Sequence, residues 1–210
     1  SVLFVDIVSF TAISETMPAE GVATLLNEFY TNISKVAQQY NGVIDKFMGD
    51  CAMVVFGIPK VDEDHVYNSI ACAVCFQKLM RVTNRHRQKQ GLFPIHFRIG
   101  VNTGDMLAGT MGSSERIQYT VVGDSVNLAS RLCTAAPPDR IIVTDDTYHL
   151  AGLKRKVIAT RHERMRIRGI SNPVNTYLVQ DLQEPYLHES TVIIKKILDD
   201  QQKLKAVSSI

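Results

Sequence analysis

Two aspartates, Asp6 and Asp50, stand where two predicted strands end, and paired carboxylates are the first chemistry that this sequence offers. Asp6 follows the apolar run at the start of the chain. Asp50 follows Gly49 in "VIDKFMGDCAMVVFG", where apolar sequence on both sides predicts a β-hairpin with Gly49-Asp50 at its tip. If these strands are neighbours, the two carboxylates converge. Oxygen ligands of this kind suit Mg²⁺ or Mn²⁺, and two such ions about 3.5–4 Å apart are a common device for in-line attack at phosphorus.

A simpler interpretation of the hairpin stays open at this point. Gly-Asp is an ordinary turn sequence, and Lys46, four residues before Asp50, could simply face water. The segment "IVSFT" after Asp6 leads directly into a predicted helix, so its backbone N–H groups could hold a phosphate.

A second group of polar residues lies in "YTVVGDSVNLASRL", where Gly123 ends a strand and a helix begins. Asn127 and Arg131 are four residues apart and therefore share a helical face. An amide and a guanidinium aimed together suit an anionic transition state, although a polar residue near a helix cap and a surface charge would give the same pattern. In "RMRIRG", Arg166 and Arg168 alternate with apolar residues, which predicts either a solvated strand face or a phosphate clamp.

Composition narrows the class of protein. The 210 residues suffice for one substantial domain, with 45% apolar and 21% charged residues and a formal charge of +2, too small to indicate a nucleic-acid or membrane-surface protein. No apolar run approaches the roughly 20 residues that span a bilayer. The four cysteines lie within apolar periodic stretches, unlike a disulfide framework, which indicates a reducing, cytoplasmic setting. Cys72-x-x-Cys75 could be a redox pair, but its place in the middle of a predicted helix favours buried structural thiols.

The elements that must position these residues follow from periodicity. We expect a strand at 2–8, a helix at 18–40, the hairpin at 43–57, a helix at 64–90, glycine-punctuated strands over 94–122 and a helix at 124–136. Short strands are then predicted in "RIIVT", "ERMRIRGI" and "NTYLV". The pattern indicates one α/β domain at residues 1–183, with long helices covering one sheet, and a helical or flexible tail at 184–210. Because the chain opens on a core strand, we expect it to be cut from a longer protein.

Four stretches together carry a family resemblance: "LFVDIVSFT", "DKFMGDCAMVVFG", "RIGVNTGDMLAGTMG" and "YTVVGDSVNLASRL". Their order and spacing resemble the class III nucleotidyl cyclase catalytic domain over about residues 2–180. The resemblance implies a ferredoxin-like βαββαβ core (an α+β fold) with extra C-terminal strands. It also implies a head-to-tail homodimer with the nucleotide at the interface.

By the same resemblance, Asp6, Asp50 and the Ile7 carbonyl hold two Mg²⁺ or Mn²⁺ ions. The residues implied to contact the phosphates are Phe10, Thr11, Arg98 and Arg168.

The resemblance also assigns the ribose and the reacting phosphate. Asn127 would orient the ribose, and Arg131 would stabilise charge developing on the α-phosphate. The aspartates of one protomer and Lys46 of the other would complete each site.

Lys46 matches the purine-selecting lysine of adenylate cyclases, where guanylate cyclases carry glutamate. Thr120 stands where many adenylate cyclases have aspartate, and the Lys/Thr pair resembles a subgroup that includes bicarbonate-responsive enzymes. Lys46 can donate to adenine N1 and Thr120 can accept from N6, whereas the protonated N1 of guanine would face the ammonium at a cost of about 1–3 kcal/mol. The sequence therefore predicts an adenylate cyclase that uses ATP, with a guanylate cyclase or a catalytically silent regulatory module as alternatives.

Overall fold

The computed structural model describes residues 1–115, 117–150, 152–166 and 172–207. In this part of the chain the strands are β1 (Val2–Ile7), β2 (Val43–Met48), β3 (Cys51–Val55), β4 (Phe97–Asn102), β5 (Leu107–Gly112), β6 (Ile117–Val122), β7 (Arg140–Thr144), β8 (Val157–Arg161) and β9 (Thr176–Leu182). The α-helices are α1 (Phe10–Glu15), α2 (Ala19–Gln39), α3 (His65–Lys89), α4 (Asp124–Ala135), α5 (Asp145–Tyr148) and α6 (Tyr186–Val207). A 3₁₀ turn at Leu153–Arg155 precedes β8.

Seven strands form one sheet in the order β2-β3-β1-β4-β7-β9-β8, and β5 and β6 form a separate hairpin. All pairs in the large sheet are antiparallel except β4 with β7. The first four strands with α2 and α3 have the βαββαβ order of a ferredoxin-like core, with β7, β8 and β9 added beyond β4. The predicted α+β fold is confirmed.

Alternation along β1 decides which face of the sheet each of its side chains joins. Leu3, Val5 and Ile7 belong to the main core, which α2, α3 and α6 cover. Val2 and Phe4 point to the opposite face and pack with α4. Because side chains alternate along a strand, Asp6 lies on the α4 face.

Helix α4 lies directly on the sheet because β4 carries a glycine at the contact. A Cβ on Gly100 would come within 2.5 Å of the Ala129 carbonyl oxygen and would also meet the backbone nitrogen of Cys133. The long helices therefore cover one face of the sheet, as expected, and α4 covers part of the other.

Residues 186–207, for which the sequence left a helix or a flexible tail open, form α6. Ile194 and Ile197 are buried in the main core. Gln201 Nε2 donates to Asn32 Oδ1 over 2.6 Å, which joins α6 to α2. The tail therefore adds to the hydrophobic core and does not extend freely from it.

The predicted strand "ERMRIRGI" is wrong in its described part. Met165 forms only an isolated bridge to Val174, and Arg166 is exposed. The edge position beside β9 is occupied by β8, whose register runs from Val157 opposite Leu182 to Arg161 opposite Tyr177. A period-two pattern predicts a strand but does not identify its partner, and here an upstream segment pairs with β9.

The cysteines are free thiols. Cys72, Cys75 and Cys133 are buried, and burial raises the pKa of Cys75 to about 12, which agrees with the predicted structural thiols. Among the described residues, no helix combines the length and the apolar character needed to cross a membrane.

Candidate active site

The two aspartates meet at one end of the sheet. Asp6 is paired with Cys51 in the β1–β3 ladder, and the Ile7 N–H donates to the Asp50 carbonyl oxygen over 3.0 Å. Asp50, at the hairpin tip, therefore lies beside Ile7, the last residue of β1. Burial raises the pKa of Asp6; Arg98 opposes that shift and the neighbouring Asp50 carboxyl adds to it. The convergence predicted from the sequence is present.

Arg98 is the immediate cationic partner of Asp6. The two residues are paired across β1 and β4, and Nε and Nη2 of Arg98 lie 2.6 and 2.5 Å from Asp6 Oδ2. Arg98 Nη1 also donates to the Thr134 carbonyl oxygen over 3.1 Å. The sequence assigned Arg98 to phosphate; in this structure it neutralises Asp6 and joins β4 to the end of α4.

Tyr30 holds the hairpin tip in place, a role that the sequence reasoning did not identify. Its hydroxyl donates to the Gly49 carbonyl oxygen over 2.6 Å, and its ring stacks on Phe47 with 4.1 Å between centroids. Tyr30 lies on the apolar stripe of α2, so its periodicity indicates a core residue and gives no signal for its polar end. This contact fixes Asp50 relative to α2.

The donor set of this cluster fits a hard divalent cation. Asp6 and Asp50 supply carboxylate oxygens, and Ile7, whose N–H donates to the Asp50 carbonyl oxygen, adds a backbone carbonyl at the same end of β1. The raised pKa of Asp6, caused first by burial, shows that negative charge is poorly solvated there, which a bound cation would relieve. Within the described residues no group of three or more His, Cys, Asp or Glu side chains could hold a metal. Further ligands would therefore come from backbone, water or substrate oxygens.

The segment after β1 turns sharply at Ser9, whose φ of 58° is in the left-handed region, and α1 begins at Phe10. Phe10 is half-buried against the main core, and Thr11 is exposed. The N–H groups of a helix's first turn lack intrahelical partners, so those of Phe10 and Thr11 are available beside the carboxylates.

Helix α4 presents the predicted amide and guanidinium to solvent. Asn127 is exposed, Arg131 is half-buried, and neither side chain has a hydrogen-bond partner in the part of the chain that the structure describes. The buried Asn102, at the end of β4, donates through Nδ2 to the Ser125 carbonyl oxygen over 3.0 Å and fixes the first turn of α4. The two side chains are thus held on a fixed helix and left unpaired.

Lys46 and Thr120 form a third cluster on β2 and β6. Lys46 Nζ lies 3.2 Å from Thr120 Oγ1 and 3.1 Å from Asp45 Oδ2. Thr120 Oγ1 donates to the same Asp45 oxygen over 2.9 Å. Lys46 therefore does not simply face water, and the two predicted purine-selecting residues are in direct contact.

Asp45 is the residue of this cluster that sequence reasoning missed. Its side chain is only 4% exposed. A signal was available, because aspartate is depleted within strands and Asp45 stands with Lys46 inside an otherwise apolar run. The remaining predicted basic residue, Arg168, lies outside the described residues.

Comparison with known proteins identifies the family. Residues 1–181 match the family model described as the adenylate and guanylate cyclase catalytic domain. The chain belongs to this family.

Solved structures of cyclases share its fold. The adenylyl cyclase CyaB from P. aeruginosa gives a TM-score of 0.83 at 36% identity, covering 87% of this chain and 94% of that chain. The guanylyl cyclase Cya2 gives 0.82 at 33% identity, covering 88% and 93%. The large sheet and its helices are therefore those of the nucleotidyl cyclase fold.

Curated relatives are longer proteins. Adenylate cyclase 1 of Rhizobium meliloti is 35% identical over 130 residues, which are 62% of this chain and 20% of that protein. The uncharacterized protein Rv1320c of Mycobacterium tuberculosis is 33% identical over 205 residues, 96% of this chain and 34% of that protein. The chain thus spans between a fifth and about a third of these relatives. Because the similar proteins include adenylyl and guanylyl cyclases, membership of the family does not by itself decide between ATP and GTP.

Proposed function

We propose that this cyclase domain converts ATP to 3′,5′-cyclic AMP and pyrophosphate. The observation that carries the choice of ATP is the contact between Lys46 Nζ and Thr120 Oγ1 at 3.2 Å. An ammonium donor beside a hydroxyl acceptor matches the N1 acceptor and N6 donor of adenine. Guanine would bring its protonated N1 against Lys46, an unfavourable meeting of two donors.

In the reaction, the ribose 3′-hydroxyl gives up its proton to solvent as its oxygen attacks the α-phosphorus in line, the new P–O bond closes the ring, and the bond to the leaving pyrophosphate breaks. Asp6, Asp50 and the Ile7 carbonyl would hold two Mg²⁺ or Mn²⁺ ions. When bound, these would supply Lewis-acid activation of the 3′-oxygen and charge neutralisation on the phosphates. The close carboxylates and the poorly solvated charge of Asp6 support this assignment.

The other side chains bind and orient the substrate. Asn127 orients the ribose, and Arg131 places a guanidinium against the charge that develops on the α-phosphate. The groups assigned to the triphosphate are the N–H groups of Phe10 and Thr11 and the side chains of Arg98 and Arg168. Arg98 would have to share its charge between Asp6 and the phosphates, because it already binds that carboxylate.

We propose that the working form is a homodimer in which the aspartates of one protomer face Lys46 and Arg131 of the other. Exposed large apolar side chains support an interface on β2 and the β5–β6 hairpin. These are Val43, Phe47, Met48, Leu107, Ile117, Tyr119 and Val122. We assign residues 1–183 to the catalytic domain, with α6 as an appended helix, and expect it to be a cytoplasmic part of a larger protein.

The test is to incubate the purified domain with Mn²⁺ and either ATP or GTP at several protein concentrations, and to quantify cyclic nucleotide and pyrophosphate. We expect cyclic AMP from ATP, with specific activity that rises with concentration. Lys46→Glu is the informative variant, since it replaces the proposed donor to N1 with an acceptor. Cyclic GMP from the wild type would overturn the choice of nucleotide, and no product at any concentration would favour a regulatory module. Adding bicarbonate to the same assay tests the predicted activator.

A further inference from the structure

Asp45 lies at a bulge that brings two consecutive side chains to one side of β2. The β2–β3 register is interrupted between Ile44 and Lys46, so Asp45 has no partner opposite it in the ladder. Neighbouring residues of a regular strand point to opposite faces. Here both Asp45 and Lys46 reach Thr120, at the point where the register is interrupted.

The two hydrogen bonds of Thr120 leave its hydroxyl able only to accept a hydrogen bond from a ligand. A threonine hydroxyl has one proton and two lone pairs. The proton is given to Asp45 Oδ2 at 2.9 Å, and one lone pair accepts from Lys46 Nζ at 3.2 Å. Because an ionised carboxylate only accepts, this direction is fixed. The free lone pair of Thr120 can accept a hydrogen bond but the hydroxyl has no proton left to donate.

Lys46 is oriented by the same carboxylate. Its ammonium carries three protons, of which one is directed to Thr120 and one to Asp45 Oδ2 at 3.1 Å. One proton remains for a ligand. The Asp45 side chain is 4% exposed, so water does not compete strongly for its oxygen.

We propose that Asp45 is the positioning residue that sets purine selectivity, by holding Thr120 as a pure acceptor and leaving Lys46 one free donor. This inference rests on the proposed use of ATP. The 6-amino group of adenine donates to such an acceptor, whereas the 6-oxo group of guanine or hypoxanthine would face a second acceptor. The discrimination at position 6 then depends on a residue that itself makes no contact with the base.

A structural role for Asp45 makes a different prediction. Gln118 Nε2 donates to the Asp45 carbonyl oxygen over 2.9 Å, so the same residue also connects β6 to β2 through its backbone. If Asp45 only anchored the hairpin, loss of the Gln118 contact would have the same consequences as loss of the carboxylate.

The experiment compares kcat/KM for ATP and for inosine triphosphate, which carries the 6-oxo group but lacks the 2-amino group of GTP. Asp45→Leu keeps nearly the same size but removes the acceptor, and Gln118→Leu is its matched control. Thr120→Val and the double variant D45L/T120V complete the set. We expect D45L to lower the ATP:ITP ratio by about tenfold, the effect of one hydrogen bond, because Thr120 regains a proton for the 6-oxo group. We expect Q118L to change the ratio by less than about twofold, within the range of near-neutral substitutions. In the T120V background, D45L should leave the ratio unchanged.

The outcomes separate this inference from the proposed function. A wild type that makes cyclic AMP and prefers ATP, with D45L retaining that preference, overturns the role of Asp45 and leaves the function standing. Equal falls of the ATP:ITP ratio in D45L and Q118L also overturn the role of the Asp45 carboxylate. They would show that Asp45 acts only by anchoring the hairpin. A wild type without preference for ATP overturns the proposed substrate and this inference together. Should D45L fail to fold, Asp45→Asn takes its place with a smaller fall in the same direction, and competition binding of ATP and ITP gives a readout independent of turnover.

Discussion

At the scale of single residues, the site groups differ in how much the fold depends on them. Asp6 and Arg98 form a half-buried ion pair at the end of the sheet, so each is part of the packing as well as of the proposed site. Asn127 and Arg131, in contrast, face outward from α4 and have no partner among the described residues. Unpaired polar groups on a fixed helix cost the fold little and are free to bind a ligand.

The first prediction follows from that difference. Asn127→Ala and Arg131→Ala should each lower kcat by about 10²–10³-fold, the usual effect of removing a group that stabilises transition-state charge. The free energy of unfolding should change by less than about 0.5 kcal/mol, because the side chains make no described hydrogen bonds. Turnover assays and urea unfolding measure the two effects, with the neighbouring Ser130→Ala as control. A loss of activity matched by a comparable loss of stability would show that these residues serve the fold.

At the scale of elements, the start of α3 depends on one carboxylate. Asp62 accepts hydrogen bonds from the Asp64 N–H at 3.0 Å and from Asn68 Nδ2 at 2.8 Å, with Asn41 Nδ2 at 3.3 Å. Burial alone would raise the pKa of Asp62, but these donors outweigh it and the pKa is lowered. The ionised form is therefore the one that the folded chain prefers.

The pH dependence of stability follows from the sign of this shift. A carboxyl with a lowered pKa in the folded state stabilises the protein above its unfolded pKa, about 4, and that stabilisation is lost as the pH falls through the folded pKa. Asp62→Asn should therefore be less stable than the wild type at pH 7, with a difference that shrinks below about pH 4. Urea unfolding at pH 7 and pH 3 checks this. A difference that stays constant over this range would assign the effect to geometry and not to charge.

A second element-scale prediction concerns the contact between α4 and β4. Gly100→Ala would place a Cβ within 2.5 Å of the Ala129 carbonyl oxygen, a backbone atom that cannot move without the helix. We expect a loss of about 1–3 kcal/mol of stability, typical of overpacking, together with reduced turnover because Asn127 and Arg131 move with α4. Gly109→Ala is the matched control for stability alone, since a Cβ there meets no atom within 4 Å. Thermal unfolding of both variants and initial rates of Gly100→Ala test this, and equal losses of stability in the two variants would refute the proposed close contact.

At the scale of the whole molecule, one chain carries all the groups proposed for the site, yet Lys46 and Thr120 lie on β2 and β6 while the aspartates lie at the end of β1 and the hairpin tip. Among the described residues, seven of the thirteen exposed large apolar side chains lie on β2, β5 and β6, around Lys46 and Thr120. This distribution suits an isologous dimer, in which two copies of one surface bury each other and form two equal sites.

The dimer interface can be tested by placing one charged side chain on its proposed surface. Leu107→Glu should weaken self-association and lower the activity at dilute protein by tenfold or more, because an unpaired carboxylate is buried where a 68% exposed leucine had been available for contact. Val192→Glu, at a 52% exposed position of α6 away from that surface, is the control. Sedimentation and concentration-dependent assays report both effects. Equal behaviour of the two variants would argue against this interface.

Complementation tests which groups share a site. Lys46→Glu and Asp50→Asn should each be inactive alone, whereas an equal mixture should recover about a quarter of wild-type activity, since half of the random dimers have one intact site of two. Recovery requires that the lysine and the aspartate of a site come from different protomers. If the mixture stays inactive although exchange of protomers is demonstrated, both groups of a site come from one chain.

The sequence by itself determined the local and the family-level features of this protein. Alternation of apolar residues and the Gly49-Asp50 turn predicted β1 and the hairpin, helical periodicity predicted α2 and α3, and four motifs indicated the cyclase family, because each of these signals is written in neighbouring residues. Only the tertiary structure decided that Arg98 pairs with Asp6, that Tyr30 holds the hairpin tip, that β8 takes the place beside β9, and that Asp45 joins Lys46 to Thr120. These contacts join residues 16 to 92 positions apart or depend on the interrupted β2–β3 register at Asp45. Tertiary packing decides which residues meet in these contacts, and the pattern of neighbouring residues in the sequence carries no information about it.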